Sequence, residues 1–189
     1  MIKIFIFILL YFRFGYADVH VKKIPKNFIF GLGTSSYQIE GAWNTNGKGP
    51  SIWDEFVHRV PSPIKNNDTG DIACDSYYRY KEDVLNVYNA GFQFYRFSIS
   101  WPRILPTGYT NNINEEGIIY YKKLIQEILR YNMTAVVTIY HWELPQQLYK
   151  DGVDWTNPKF VDIFVDYTRF IVSRYFKSIL TLACENGFA

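Results

Sequence analysis

The chain has 189 residues, 48% of them hydrophobic, enough material for the core of one ordinary domain. A formal net charge of +2 is too small to argue for a nucleic-acid partner or an anionic membrane surface. Two cysteines, Cys74 and Cys184, exclude a disulfide-framed fold, and most of the 16 Tyr, 15 Phe and 5 Trp are expected in the core.

The first residues read as a targeting segment. Lys3 gives a positive start, Ile4 to Leu10 is an apolar run, and Gly15-Tyr16-Ala17 puts small residues where a signal peptidase needs them. The run is too short, and Arg13 too close, for a membrane span. The expectation is a signal peptide over residues 1–17, no membrane anchor after its cleavage, and a secreted chain over 18–189. The sequons Asn67-Asp68-Thr69 and Asn132-Met133-Thr134 suit that route as glycosylation sites.

Phe28 to Gly33, FIFGLG, reads as a buried strand whose two glycines suit close approach of backbone to backbone. Thr34-Ser35-Ser36 follows, then Tyr37-Gln38-Ile39-Glu40-Gly41, polar groups delivered at a strand end. The Gln38 amide has both donors and an acceptor, the chemistry for gripping two neighbouring hydroxyls, although it could equally satisfy local backbone. Residues 44–71 are rich in Gly, Pro and Asn and read as a long loop around a short apolar piece at 51–56; Trp53 reads as its anchor.

Helices and strands then alternate. Asp75 to Ala90 has a broad apolar face and stops at Gly91, a residue suited to a left-handed C-terminus. Phe92 to Trp101 is an aromatic and β-branched strand. Arg96 lies inside that run, so its guanidinium is expected to have a carboxylate partner. Asn114 to Tyr131 is a second helix, Thr134 to Tyr140 a third strand, and Pro158 to Tyr175 a third helix capped by DWTNP. His141-Trp142 stands just past the third strand, where His141 could donate to a hydroxyl or serve structure alone. Strand and helix at this spacing mean an α/β fold of parallel units, most simply barrel-like, with function at the carboxy-terminal strand ends.

The words FIFGLGTSSYQIEGA at 28–42, GKGPSIWD at 47–54, YRFSISW at 95–101 and YHWELP at 140–145 resemble those of the family 1 glycoside hydrolases: the β-glucosidases, myrosinases and lactase-type enzymes. The resemblance covers about Pro25 to Phe176. It implies a (β/α)8 TIM barrel of which about the first three to four units are present. It further implies retaining hydrolysis of β-glycosides without metal or cofactor, with a β-glycoside or sugar as ligand. By resemblance Gln38, His141 and Trp142 hold the glycone, and Arg96 lies beside the nucleophile. Glu143 stands where the family more often has Asp, and a salt bridge at the rim would account for it.

At the end of the chain Glu185-Asn186-Gly187-Phe188-Ala189 resembles the family's nucleophile motif, making Glu185 the candidate nucleophile. The family's acid/base motif, Asn-Glu-Pro, is absent from this sequence. Two explanations are open. The chain joins the first third of a barrel to a late nucleophile segment, or its fourth strand has drifted and the Glu-Asn-Gly is coincidence. Since retention needs two carboxyl groups, the chain by itself is expected to be inactive and to form an open barrel segment with exposed edges. The alternatives are a non-catalytic secreted sugar-binding protein and an incomplete gene product without function.

Overall fold

The computed structural model describes residues 23–175 and 181–183. The expected signal peptide, Cys184 and Glu185 lie outside the described residues. Four parallel strands form one sheet in chain order: β1 (Gly31–Gly33), β2 (Phe94–Ser98), β3 (Thr134–Thr138) and β4 (Thr181–Ala183). Three long helices connect them, α3 (Ser76–Asn89), α5 (Glu115–Arg130) and α7 (Phe160–Tyr175). Short helices punctuate the loops: α1 (Ser36–Ile39), α2 (Ile52–Val57), α4 (Trp101–Ile104) and α6 (Gln146–Lys150).

The core lies between sheet and helices because the strands alternate. Tyr95 and Phe97 of β2, with Ala135 and Val137 of β3, are buried on the helix side. There Phe97 stacks on Tyr121 of α5, ring centroids 6.1 Å apart. α5 buries Ile118, Tyr121, Leu124, Ile125 and Ile128 at helical spacing, and Glu115, Glu116 and Arg130 complement its dipole at the two ends. α7 locks on through Tyr167, whose ring stacks on Trp101 at 3.9 Å and whose hydroxyl donates to the Ile139 carbonyl at 2.5 Å. Gly91 takes the left-handed backbone, φ 82°, just past α3.

The other sheet face carries Phe94 and Arg96 of β2 and Thr134 and Val136 of β3, all half-buried. The expectation of a buried six-residue strand at 28–33 is corrected here. Only Gly31–Gly33 pair in the sheet, and Phe28 and Phe30 are exposed, packing edge-on against each other at 4.8 Å. β1 has β2 on one side and, among the described residues, no strand on the other, so nothing covers the apolar run before it. The glycines are needed for side chains, not backbone. A Cβ at Gly31 would sit 2.3 Å from the Phe94 ring, and one at Gly33 would sit 3.3 Å from Arg96 Cδ. On the far side, Trp155, Val161 and Val165 line an apolar groove of about 390 Å3 along α7 and are exposed.

The long loop at 44–71 is ordered. Its backbone is sewn to the sheet's carboxy-terminal side: Gly49 N–H to the Pro102 carbonyl, Ile52 N–H to that of Leu144, and Gln146 N–H to that of Pro50, each at 2.9 Å. Ser51 and Asp54 form a reciprocal capping box that starts α2. Asp54 also takes the Lys48 ammonium at 2.7 Å, both side chains being at most 4% exposed.

Beside them lies a second buried ion pair. Arg103 Nε donates to Glu40 Oε2 at 2.8 Å, its Nη2 donates to the Gly41 carbonyl at 3.1 Å, and its guanidinium covers the Tyr77 ring at 4.4 Å. Tyr121 closes the group, donating to Glu40 Oε1 at 2.6 Å while its oxygen accepts from Ser100 N–H at 2.8 Å. Removing one partner of such a pair strands the other charge in the interior. Arg103→Met is therefore expected to cost about 3–5 kcal/mol, and Tyr121→Phe about 1–3 kcal/mol. Urea unfolding of the two variants checks this; equal losses would show that the ion pair does not dominate the cluster.

Candidate functional site

Because the strands are parallel, their carboxy-terminal ends share one edge of the sheet, and hydrogen bonds draw those ends together. Thr34 N–H donates to the Arg96 carbonyl at 2.8 Å, and Ile99 N–H to the Thr138 carbonyl at 2.9 Å. Ser36 N–H donates to Ser98 Oγ at 2.8 Å, and the two hydroxyls are also 2.8 Å apart. Ser36 Oγ reaches on to Glu143 Oε2, which also accepts the Tyr37 N–H at 3.2 Å. The ends of β1, β2 and β3 are thus joined by one polar chain.

Gln38, expected at the end of the first strand, lies in the single turn of α1 and is exposed. His141 is half-buried just past β3. Trp142 is 48% exposed and holds φ at 71°, a left-handed backbone that a bulky residue takes only at a cost of roughly 1–3 kcal/mol. That conformation turns Trp142 outward while its neighbour Glu143 points inward, 2% exposed. Arg96 lies two residues before the end of β2, on the half-buried sheet face, with Nε donating to Thr138 Oγ1 at 2.7 Å. A second arginine, Arg103, is the more deeply buried and pairs with the Glu40 carboxylate. The structure thus brings Gln38, His141 and Trp142 to one edge above Arg96, while Glu185 lies outside the described residues. Trp53, the expected loop anchor, sits 6.0 Å from the Tyr37 ring, next to Gln38.

The placement of Glu143 corrects the reading of a rim salt bridge. It shares with Lys48, Asp54, Glu40 and Arg103 a small cavity of about 10 Å3, room for about one water molecule. Burial pushes its carboxyl up to about 8; Glu40 and, more weakly, Asp54 act in the same direction, and Lys48 opposes them. Its surroundings thus favour the protonated, neutral form of the acid. The signal for it was present in the sequence: a lone charge between Trp142 and Leu144-Pro145 faces the same difficulty that singled out Arg96. Ser36 and Ser98 carried no such signal, since small polar residues are ordinary at strand ends. Among the described residues no group of three or more His, Cys, Asp or Glu could hold a metal ion. Both sequon asparagines, Asn67 and Asn132, are exposed.

Comparison with known proteins places this arrangement. The glycosyl hydrolase family 1 model matches residues 20–186. The chain is 51% identical over 153 residues to myrosinase 1 of Brevicoryne brassicae, a match covering 81% of this chain and 33% of that protein. It is 46% identical over 157 residues to β-glucosidase A of Thermotoga maritima, covering 83% of this chain and 34% of the relative. Among solved structures, the family 1 β-glucosidase of Thermotoga maritima in complex with isofagomine lactam superposes with a TM-score of 0.83 at 43% identity, over 87% of this chain and 37% of that one. The chain thus spans about a third of the length of these relatives. With its sheet, its strand-end words and its family match in agreement, the chain belongs to glycosyl hydrolase family 1 and carries the first βα units of that family's TIM barrel.

Proposed function

We propose that the strand-end edge of this chain binds the glycone of β-glycosides through Gln38, His141 and Trp142, and that in a complete barrel it supplies that half of a retaining β-glycosidase site. The observation that carries the reading is the joining of the segments that follow β1 and β3, which brings an exposed amide and an exposed indole to one edge of the sheet. An amide donates and accepts at once, as adjacent sugar hydroxyls require, and an indole adds an apolar face and an N–H. The uncharged lactam bound by the Thermotoga maritima enzyme is a suitable probe. Calorimetry is expected to detect its binding, with Gln38→Ala and Trp142→Ala each weakening it roughly 10- to 100-fold. The absence of any heat from the unsubstituted chain would remove the reading.

For hydrolysis the roles differ. Glu185 would attack the anomeric carbon as the glycosidic bond breaks, forming a glycosyl ester that water then cleaves with retention. Arg96 would keep that carboxylate ionised. The leaving oxygen must take a proton, and with no Asn-Glu-Pro in the sequence no residue is assigned to give it. The chain alone should therefore release dinitrophenolate slowly from a dinitrophenyl β-glucoside and leave an alkyl β-glucoside intact. Glu185→Gln should abolish the first release; its survival would free Glu185 of the role.

The second reading, a secreted sugar-binding protein without turnover, uses the same contacts. We place the mature chain in the secretory pathway, supported by the leader sequence and by the exposure of Asn67 and Asn132. Expression in a eukaryotic secretory host should give an N-terminus at Asp18 and a mass that falls on amidase treatment by up to two glycans. An intact Met1 with no glycan would overturn this placement.

A further inference from the structure

Gln38 and Trp142 are both exposed, and neither side chain is held by its own element, since α1 is a single turn and Trp142 lies outside any helix or strand. What fixes them relative to each other lies underneath. Glu143, the residue after Trp142, meets Ser36 Oγ and the N–H of Tyr37, the residue before Gln38. Ser36 in turn is tied to Ser98 at the end of β2 by two contacts of 2.8 Å. We propose that Glu143 is a positioning residue of the sugar site, clamping the turn that presents Gln38 to the strand end that presents His141 and Trp142. This rests on the sugar-binding reading above.

The charges around Glu143 specify the form in which it works. Glu40 at the end of α1, Asp54 of α2, and Glu143 itself make three buried carboxyl groups. Facing them are two cations, Arg103 of α4 and Lys48 of the loop, with the neutral phenols Tyr37 and Tyr121. One proton balances the group, and it resides on Glu143, in line with the upward displacement of that carboxyl. The working form is then a neutral acid, for which glutamine is an isostere and leucine is not. Ionisation would put a third buried anion next to Glu40 and Asp54 and loosen the clamp. Its effect on folding has a defined sign. The folded state holds this proton up to about 8 and the unfolded state only to about 4.5, so stability falls as pH rises across that window.

Isofagomine lactam is an uncharged amide, so its affinity between pH 6 and 9 reports the protein alone. The unsubstituted full chain is expected to bind it about tenfold more weakly at pH 9 than at pH 6, the fall set by deprotonation of one group near pH 8. Glu143→Gln should bind as tightly at pH 6 and lose the pH dependence. Ser36→Ala, a buried substitution out of reach of a ligand at the exposed edge, should weaken binding several-fold. Glu143→Leu should weaken it more. If the unsubstituted chain fails to bind at every pH, the sugar site falls and this inference with it. If it binds, but Glu143→Gln keeps the same pH profile or Ser36→Ala keeps full affinity, the clamp is overturned and the sugar site stands.

Discussion

Five ionisable side chains from four separate stretches meet around one small cavity, and the geometry of the strand ends depends on their agreement. Glu40 comes from the end of α1, Lys48 and Asp54 from the long loop and α2, Arg103 from α4, and Glu143 from the turn after β3. None of these stretches can bury its own charge alone, because an isolated ion in the interior costs several kcal/mol even after relaxation. Each becomes tolerable only when the others arrive. This explains why a loop full of Gly, Pro and Asn is ordered: it delivers Lys48 to Asp54 and both to the cavity beside Glu143.

That coupling was only partly legible in the sequence. The hydrophobic runs of β2 and β3 and the apolar stripes of α3, α5 and α7 were read within a few residues, since periodicity and core burial are the same fact seen from two ends. The stretch before β1 was misread because an apolar run does not show whether anything lies beyond it. A charge in an apolar run needs a partner, and the sequence draws the eye to Arg96 on the half-buried sheet face. Glu40, Arg103 and Glu143, set in words just as apolar, are the residues this requirement describes best. Which face of the sheet is covered is a property of the fold, and one-dimensional patterning does not carry it.

Glu143 shows a second limit. By simple alternation after β3, a residue beside an outward Trp142 could point either way, and a carboxylate is expected outward. The left-handed backbone at Trp142 decides otherwise. It spends conformational energy on a bulky residue so that an aromatic ring faces solvent and an acid faces the interior. Strain of this kind is kept where the surroundings over-determine it. Here Ser36 and the Tyr37 N–H hold the acid from one side and the buried cluster surrounds it.

The open sheet face and the closed cluster then divide the work of recognition. A ligand site needs exposed polar groups, yet exposed side chains lose entropy whenever they are fixed on binding. α1 is too short to order Gln38 by helix cooperativity, since one turn fixes several dihedrals for very few hydrogen bonds. The restraint has to come from outside the helix, through backbone atoms of the residues just before Gln38. Ser36 and Tyr37 are held through their N–H groups and the Ser36 hydroxyl to Ser98 of β2 and to Glu143 in the turn after β3, so the backbone entering Gln38 is already fixed before any ligand arrives. Pre-organisation at this edge is therefore a property of the first βα units themselves.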